Sequence, residues 1–143
     1  MPIRVRAVTY NPAPMTPRTH LAIDPRLVGT PLELGDGTAR VELTAAPEMA
    51  ADERGLVHGG FVFGLADYAA MLAVNEPNVV LGSSEVRFLK PVVVGERLVA
   101  EAAVEEKSGK KIRVRVTVRR GGDEVFIGAF VCFVPERHVL EGA

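Results

Sequence analysis

Residues 55–75, G-L-V-H-G-G-F-V-F-G-L-A-D-Y-A-A-M-L-A-V-N, form the only long stretch of this chain with helical character, and strand-like runs lie on both sides of it. Leu65, Tyr68, Ala69 and Leu72 recur at helical spacing, and alanine occupies positions 66, 69, 70 and 73. Between Phe61 and Ala73 the only charged residue is Asp67. A lone acid in an apolar helix costs free energy unless it is paired or used, which makes Asp67 the residue to explain. Gly59 and Gly60 stand where the helix should begin, so unpaired backbone N–H groups and the positive end of the helix dipole gather there. Such a place can hold a carbonyl oxygen that becomes an oxyanion. Asp67 lies about 10 Å along the axis from Gly60, at roughly 1.5 Å per residue. One helix therefore cannot bring both groups to the same carbonyl, whereas two antiparallel copies can. The expected assembly is a two-fold dimer with two sites in its interface.

The surrounding pattern is that of an antiparallel sheet. Ile3–Tyr10 alternates well enough for an edge strand, and the prolines at 12, 14 and 17 make the next residues an extended connector. His20–Gly29 suits a short helix or turn around Pro25. A first firm strand is expected over Thr38–Thr44, after the turn Gly35-Asp36-Gly37, and residues 45–57 read as a loop. Beyond the helix and the break at N-E-P-N, strands are expected at about 79–89, 96–106, 111–120 and 124–134. Within K-I-R-V-R-V-T-V-R, Ile112, Val114, Val116 and Val118 form one face, and Lys111, Arg113, Arg115, Thr117 and Arg119 the other. A three-residue loop, Ser108-Gly109-Lys110, would set Glu105 opposite Arg113 and Val104 opposite Val114. A tight hairpin at Gly121-Gly122, with positive φ at both, would put Val125 and Ile127 on the valine face and leave Phe126 and Phe130 on the arginine side. Another subunit, or arginine side chains, would then have to cover those rings. One long helix packed on a meandering sheet of five or six strands is an α+β fold.

At 143 residues the chain is long enough for one domain with a sizeable core, and although 48% of it is hydrophobic, no apolar run approaches a membrane span. The organisation expected is an arm over residues 1–20, a domain over 21–136 and a tail over 137–143. The N-terminus has no signal-peptide apolar core, which reads as a cytoplasmic chain. A net charge of −1 argues against nucleic acid as a partner, and a single cysteine excludes an internal disulfide. Cys132 reads as a core residue. His20 and His138 lack the carboxylate or cysteine company of a metal site, so no metal or other cofactor is expected.

The run V-H-G-G-F-V-F-G-L-A-D resembles the H-G-G-x(6)-D signature of hotdog-fold acyl-CoA thioesterases of the phenylacetate-degradation type. The later V-R-F-L-K-P-V-V-V-G-E-R-L is similar to the strand, proline and turn that follow the helix in that superfamily. The resemblance covers roughly residues 30–134. It implies a hotdog fold, a central helix wrapped by an antiparallel sheet, and a homodimer or a dimer of dimers. It also implies that Asp67 is the general base or nucleophile and that the Gly59 N–H polarises the thioester carbonyl. His58 would help to position the thioester, with Asp67 supplied across the dimer interface. Coenzyme A would enter only as part of the substrate.

Many of these enzymes carry Asn six residues before the histidine; here that position is Asp52, which as a carboxylate can only accept hydrogen bonds. A second acid near Asp67 would raise the pKa of one of the pair. Ser83 and Ser84 lie near the strand position where some members use a hydroxyl. Phe61, Phe63, Tyr68 and Met71 are candidates to line the acyl pocket. Lys90, Lys110, Lys111 and Arg113 are candidates to meet the phosphates of coenzyme A. Residues 74–134 also resemble the effector domain of the malonyl-CoA-sensing repressor of fatty-acid synthesis, a non-catalytic hotdog. A binding module is therefore the main rival reading, and a hotdog dehydratase or hydratase the third. Asp67 and the lack of a basic helix-turn-helix ahead of the domain favour the enzyme.

Overall fold

In the computed structural model, which describes residues 15–142, the chain turns first through a single helical turn, α1 (Pro25–Val28), started by the Asp24 carboxylate, which accepts from the Arg26 N–H. Strands β1 (Thr30–Gly35) and β2 (Thr38–Thr44) follow as a hairpin, then a 3-10 turn at Pro47–Met49 and the long helix α2 (Gly59–Val74). Four strands complete the domain: β3 (Val80–Phe88), β4 (Arg97–Ser108), β5 (Lys111–Arg120) and β6 (Asp123–Phe133). All six strands join one antiparallel sheet in the order β1-β2-β4-β5-β6-β3. This is the α+β hotdog fold, with α2 as the filling. The strand expected over Ile3–Tyr10 lies outside the described residues. No described helix is long and apolar enough to cross a membrane.

Helix α2 lies over the inner faces of β2, β4 and β5. Leu65, Ala66, Ala69, Leu72 and Ala73 meet the sheet and are buried, and the small alanines let backbone and sheet approach closely. Helix α1 and the preceding segment cover another side, bringing Val28 near Gly64 and His20 near Tyr68. At its C-terminus the helix ends on Asn75 in the left-handed conformation (φ 50°). The buried Asn75 amide accepts from the Arg18 N–H at 2.7 Å and donates to the Thr16 carbonyl at 3.0 Å, pinning the segment before α1 onto the helix end.

Two β-bulges reset the expected strand registers. The β5–β6 hairpin does turn at Gly121-Gly122, pairing Arg120 with Asp123, but only Gly121 takes a positive φ. Val118 then pairs with Phe126, leaving Val125 as the extra residue. One inserted residue reverses every later side chain. Contrary to the expectation from alternation, Phe126, Phe130 and Cys132 therefore join the valines in the core, fully buried, and Ile127 faces outward. No other subunit is needed to cover those rings. The bulge has a long-range cause: the Val125 carbonyl accepts from the N–H groups of Leu89 (2.8 Å) and Lys90 (3.3 Å). Phe126→Ala should accordingly destabilise the fold by about 3–5 kcal/mol, and Ile127→Ala by about 1 kcal/mol or less, in urea titrations. The reverse order would restore the simple alternation.

The β4–β5 turn is also tighter than expected. Ser108 pairs with Lys111 across a two-residue turn, and a bulge at Glu105 restores the parity, so Val104 does face Val114, whereas Arg113 pairs with Glu106. The Glu105 side chain still reaches Arg115 at 2.6 Å and Arg113 at 3.4 Å, and Glu101 reaches Arg119 at 3.4 Å. The arginine stripe is thus an ion-paired outer sheet face.

Candidate active site

The sheet and α1 enclose α2 on all but one side. On α2 the residues Gly59, Gly60, Phe61, Phe63, Gly64, Asp67 and Val74 are left incompletely covered by the described residues, and Gly60, Phe63, Asp67 and Val74 among them lie along one stripe. Phe63 borders it against Phe130, with ring centroids 5.5 Å apart.

Asp67 projects from the middle of that stripe. Its Oδ1 is buried without a hydrogen-bond partner, the only such side-chain atom among the described residues. Burial pushes its carboxyl up to about 6 from an ordinary 3.8, because the low-dielectric surroundings disfavour the charged form. Its charge is also felt by Cys132, whose thiol is driven up to about 12 by burial first and by Asp67 second. A thiol held neutral in this way is no nucleophile. Asp67 is thus an acid whose pKa burial raises to about 6 and whose Oδ1 acceptor is buried and unused.

The first turn of α2 is open in a complementary sense. His58 is the N-cap but forms no side-chain capping bond, and no described residue accepts from the N–H of Gly59 or Gly60. The exposed His58 ring lies instead along the first turn, where a Cβ on Gly60 would sit 3.1 Å from its Cδ2. Glycine at 60 is what leaves the ring that position. The two chemical ends of the helix stripe, bare N–H donors and a bare carboxylate oxygen, are eight residues apart in sequence, or about 12 Å along the axis.

The other sequence-selected residues distribute unevenly. Within one protomer Asp52 is engaged locally: its Oδ1 accepts from the N–H groups of Arg54 (2.9 Å) and Leu56 (3.2 Å), closing the turn that delivers Val57 and His58 to the helix. Ser84 pairs with Phe130 and shares the helix-facing side of β3, whereas Ser83 pairs with Val131 on the outer side beside the Gly82 bulge. Phe63 borders the open stripe and Met71 follows Asp67 by one turn, buried; Tyr68 faces His20 and Phe61 packs near His58.

Lys90 stands at the Gly59 end of the sheet, in a groove of about 290 Å³ lined by Val57, Val62, Phe88, Leu89 and Val92 among others. Lys110, Lys111 and Arg113 lie at the opposite end, with Lys110 near Glu136 (3.6 Å) and Arg113 on the outer face beside Glu105. Within one protomer the four cations do not form one phosphate site. A larger hollow of about 580 Å³, between Pro25, Thr44, Pro47 and Val94, contains none of the selected residues. Phe88 was not singled out by the sequence; it reads there as a strand end, yet it lies directly on Gly59.

The fold places the molecule among the hotdog proteins, and comparison with known proteins gives its family. The family model described as Thioesterase superfamily matches residues 54–127, and the chain belongs to that superfamily. Among solved structures, an uncharacterized protein from Pyrococcus horikoshii is 57% identical, with a TM-score of 0.88 over 90% of this chain and 98% of that one. A mutant of the phenylacetic acid degradation protein PaaI from Thermus thermophilus is 30% identical, with a TM-score of 0.70 over 76% of this chain and 95% of that one. Among curated relatives, methylthioribose-1-phosphate isomerase of Aquifex aeolicus is 52% identical over 113 residues, 79% of this chain but 25% of that protein. Transcription factor FapR of Shouchella clausii is 32% identical over 87 residues, 61% of this chain and 46% of that protein. The chain thus spans a quarter to about a half of the length of these two curated relatives.

Proposed function

We propose that this protein hydrolyses an acyl-CoA thioester to the free acid and coenzyme A, at sites shared between two copies of the chain. The observation that carries this reading is the buried, unpartnered Oδ1 of Asp67 on a helix whose glycine-rich first turn has free N–H donors. Because those groups lie about 12 Å apart on one helix, they serve one carbonyl only when a second α2 runs antiparallel beside the first. The incompletely covered stripe Gly60–Phe63–Asp67–Val74 supplies the surface for that approach. The free edge of β3 supplies backbone N–H and C=O groups that a second copy of β3 can pair with.

In the assembled site the Gly59 N–H binds the thioester oxygen, and the positive end of the helix favours the charge that gathers there as the tetrahedral intermediate forms. The partner copy's carboxylate at position 67 takes a proton from water as the water oxygen bonds to the carbonyl carbon. Collapse of the intermediate breaks the C–S bond, and the proton leaves with the thiolate as free coenzyme A thiol. A carboxyl near pKa 6 is suited to this role, being mostly ionised at neutral pH yet more basic than an ordinary carboxylate. His58, lying along the first turn, orients the carbonyl. No cofactor takes part in these steps.

A non-catalytic acyl-CoA module is the alternative, supported by the likeness of the chain to transcription factor FapR. The two are separated by thiol release from a panel of short, long, aromatic and dicarboxylic acyl-CoAs, with Asp67→Ala in parallel. The expected result is turnover of some members that collapses in the variant while the dimer persists. Binding of acyl-CoA with no turnover anywhere would favour the module.

A further inference from the structure

Phe88 is an anomaly that the catalytic reading leaves unused. It ends β3 on the helix-facing side of the sheet and is 55% exposed, although its ring lies edge-on to buried Phe126 at 5.1 Å between centroids. It also lies directly over the first residue of α2: a Cβ on Gly59 would come within 3.2 Å of its Cε1. A large apolar surface left open is a mark of a binding site when it borders a groove with polar groups at fixed points. The groove here is the one of about 290 Å³ next to Gly59. Its walls are apolar, and the single charged residue among those lining it is a cation, Lys90. The Lys90 ammonium has an exposed Asp123 carboxylate 3.0 Å away, an ion pair that a phosphate can outcompete.

Resting on the acyl-CoA reading above, we infer that Phe88 is the specificity residue for the thiol half of the substrate. Its ring, with Val57, Val62, Leu89 and Val92, forms a slot that holds the pantetheine arm as it leaves the thioester, and Lys90 meets the anionic end of coenzyme A. A Cβ at position 59 would press on the edge of that ring by only a few tenths of an ångström, so the slot and the first turn of α2 are in direct contact. It also assigns the two directions of the substrate. The thiol arm runs over β3 and the Lys90 end of the sheet, and the acyl group runs the other way, along the open stripe of α2 toward the partner.

The chain contains no tryptophan, so Phe88→Trp introduces a single emission reporter into the slot. In the full-length protein, free coenzyme A and pantetheine should each change that emission saturably, and adenosine 3′,5′-bisphosphate alone should not. Kinetically, Phe88→Ala should raise KM about tenfold for both acyl-CoA and the matching acyl-pantetheine, with kcat within about threefold and Phe88→Leu restoring most of the loss. Lys90→Ala should raise KM for acyl-CoA only. A tryptophan indifferent to saturating coenzyme A, in a protein that turns over acyl-CoA, would overturn the slot while leaving the hydrolase reading intact. The converse, a responsive tryptophan in a protein that hydrolyses no thioester, would keep the slot and remove the hydrolase. If Phe88→Ala does not fold, the emission experiment and Phe88→Leu decide the matter alone.

Discussion

Asp67→Asn should lower thiol release by about 10²–10⁴-fold and, at neutral pH, make the protein more stable than the parent. Both effects follow from the same burial. The amide keeps the shape of the carboxyl but can neither take a proton from water nor carry charge into these low-dielectric surroundings. The folded pKa of Asp67 is raised from 3.8 to about 6, so the fold favours the neutral acid. Stability is therefore undiminished by this group below about pH 4, falls as pH rises toward 6, and carries the full penalty above it. A shift of this size corresponds at most to about 3 kcal/mol, and partial solvent access on the open stripe reduces the expected gain to about 1–2 kcal/mol. Urea denaturation at pH 7 should show the variant ahead, and at pH 4 the two proteins should coincide. The pH profile of kcat/KM in the parent should rise through an apparent pKa near 6, since the base must be ionised. Equal stabilisation at both pH values would mean that something other than the charge was relieved, and activity surviving in the variant would remove Asp67 from the chemistry.

How much of this was legible in the chain depends on whether a feature is decided locally. The helix, its glycine start and Asp67 were readable because a lone charge in an apolar run is visible without knowing what surrounds it. Strands β3 to β6 were readable to within a residue or two of their ends. β1 was missed: T-P-L-E-L-G contains a proline and no β-branched pattern beyond Thr30, and its pairing with β2 at the sheet edge is what makes it a strand. The β6 parity was not readable at all. V-F-I-G-A-F-V-C-F-V is apolar on both faces, so alternation cannot choose between them. The choice is made by Leu89 and Lys90, which arrive from elsewhere in the chain to bond the Val125 carbonyl.

The same distinction runs through the site. Asp52 attracted a functional reading from the position it shares with an asparagine of related enzymes, yet D-E-R-G is also an aspartate followed by a turn glycine, and Gly55 does take a φ of 79°. Local backbone chemistry accounts for its side chain as found. Lys90 and Lys110 look equivalent in sequence and are separated by the length of the sheet, because antiparallel strands carry neighbouring turns to opposite ends. Phe88 gave no signal, since exposure of an aromatic ring is a property of what fails to cover it.

Two inactive proteins should become active when mixed. Gly59→Pro deletes the one N–H assigned to the thioester oxygen with little disturbance to the helix. Proline is favoured in the first helical turn, and His58 already has the extended backbone (φ −62°, ψ 128°) that a following proline demands. The nearest obstacle is the Phe88 ring, 3.2 Å from the Cβ position, whose exposed edge is free to shift by the small distance required. The expected loss in kcat is about 10²–10³-fold. Asp67→Ala removes the other half of the chemistry. In a homodimer of either variant both sites are defective. A heterodimer of the two, however, places the intact Gly59 of one chain against the intact Asp67 of the other, so one of its two sites is whole and the second doubly defective. Random reassortment of equal amounts gives half heterodimers, and the mixture should recover about a quarter of the parental activity. Sites built within one protomer would recover nothing, because no chain in the mixture carries both residues. Unfolding and refolding the two variants together, then separately as a control, and assaying thiol release measures which holds. Recovery near a quarter locates the reaction between antiparallel α2 helices; none, with heterodimers demonstrated by differential tagging, places both functions on one chain and contradicts the spacing of about 12 Å that follows from roughly 1.5 Å per residue.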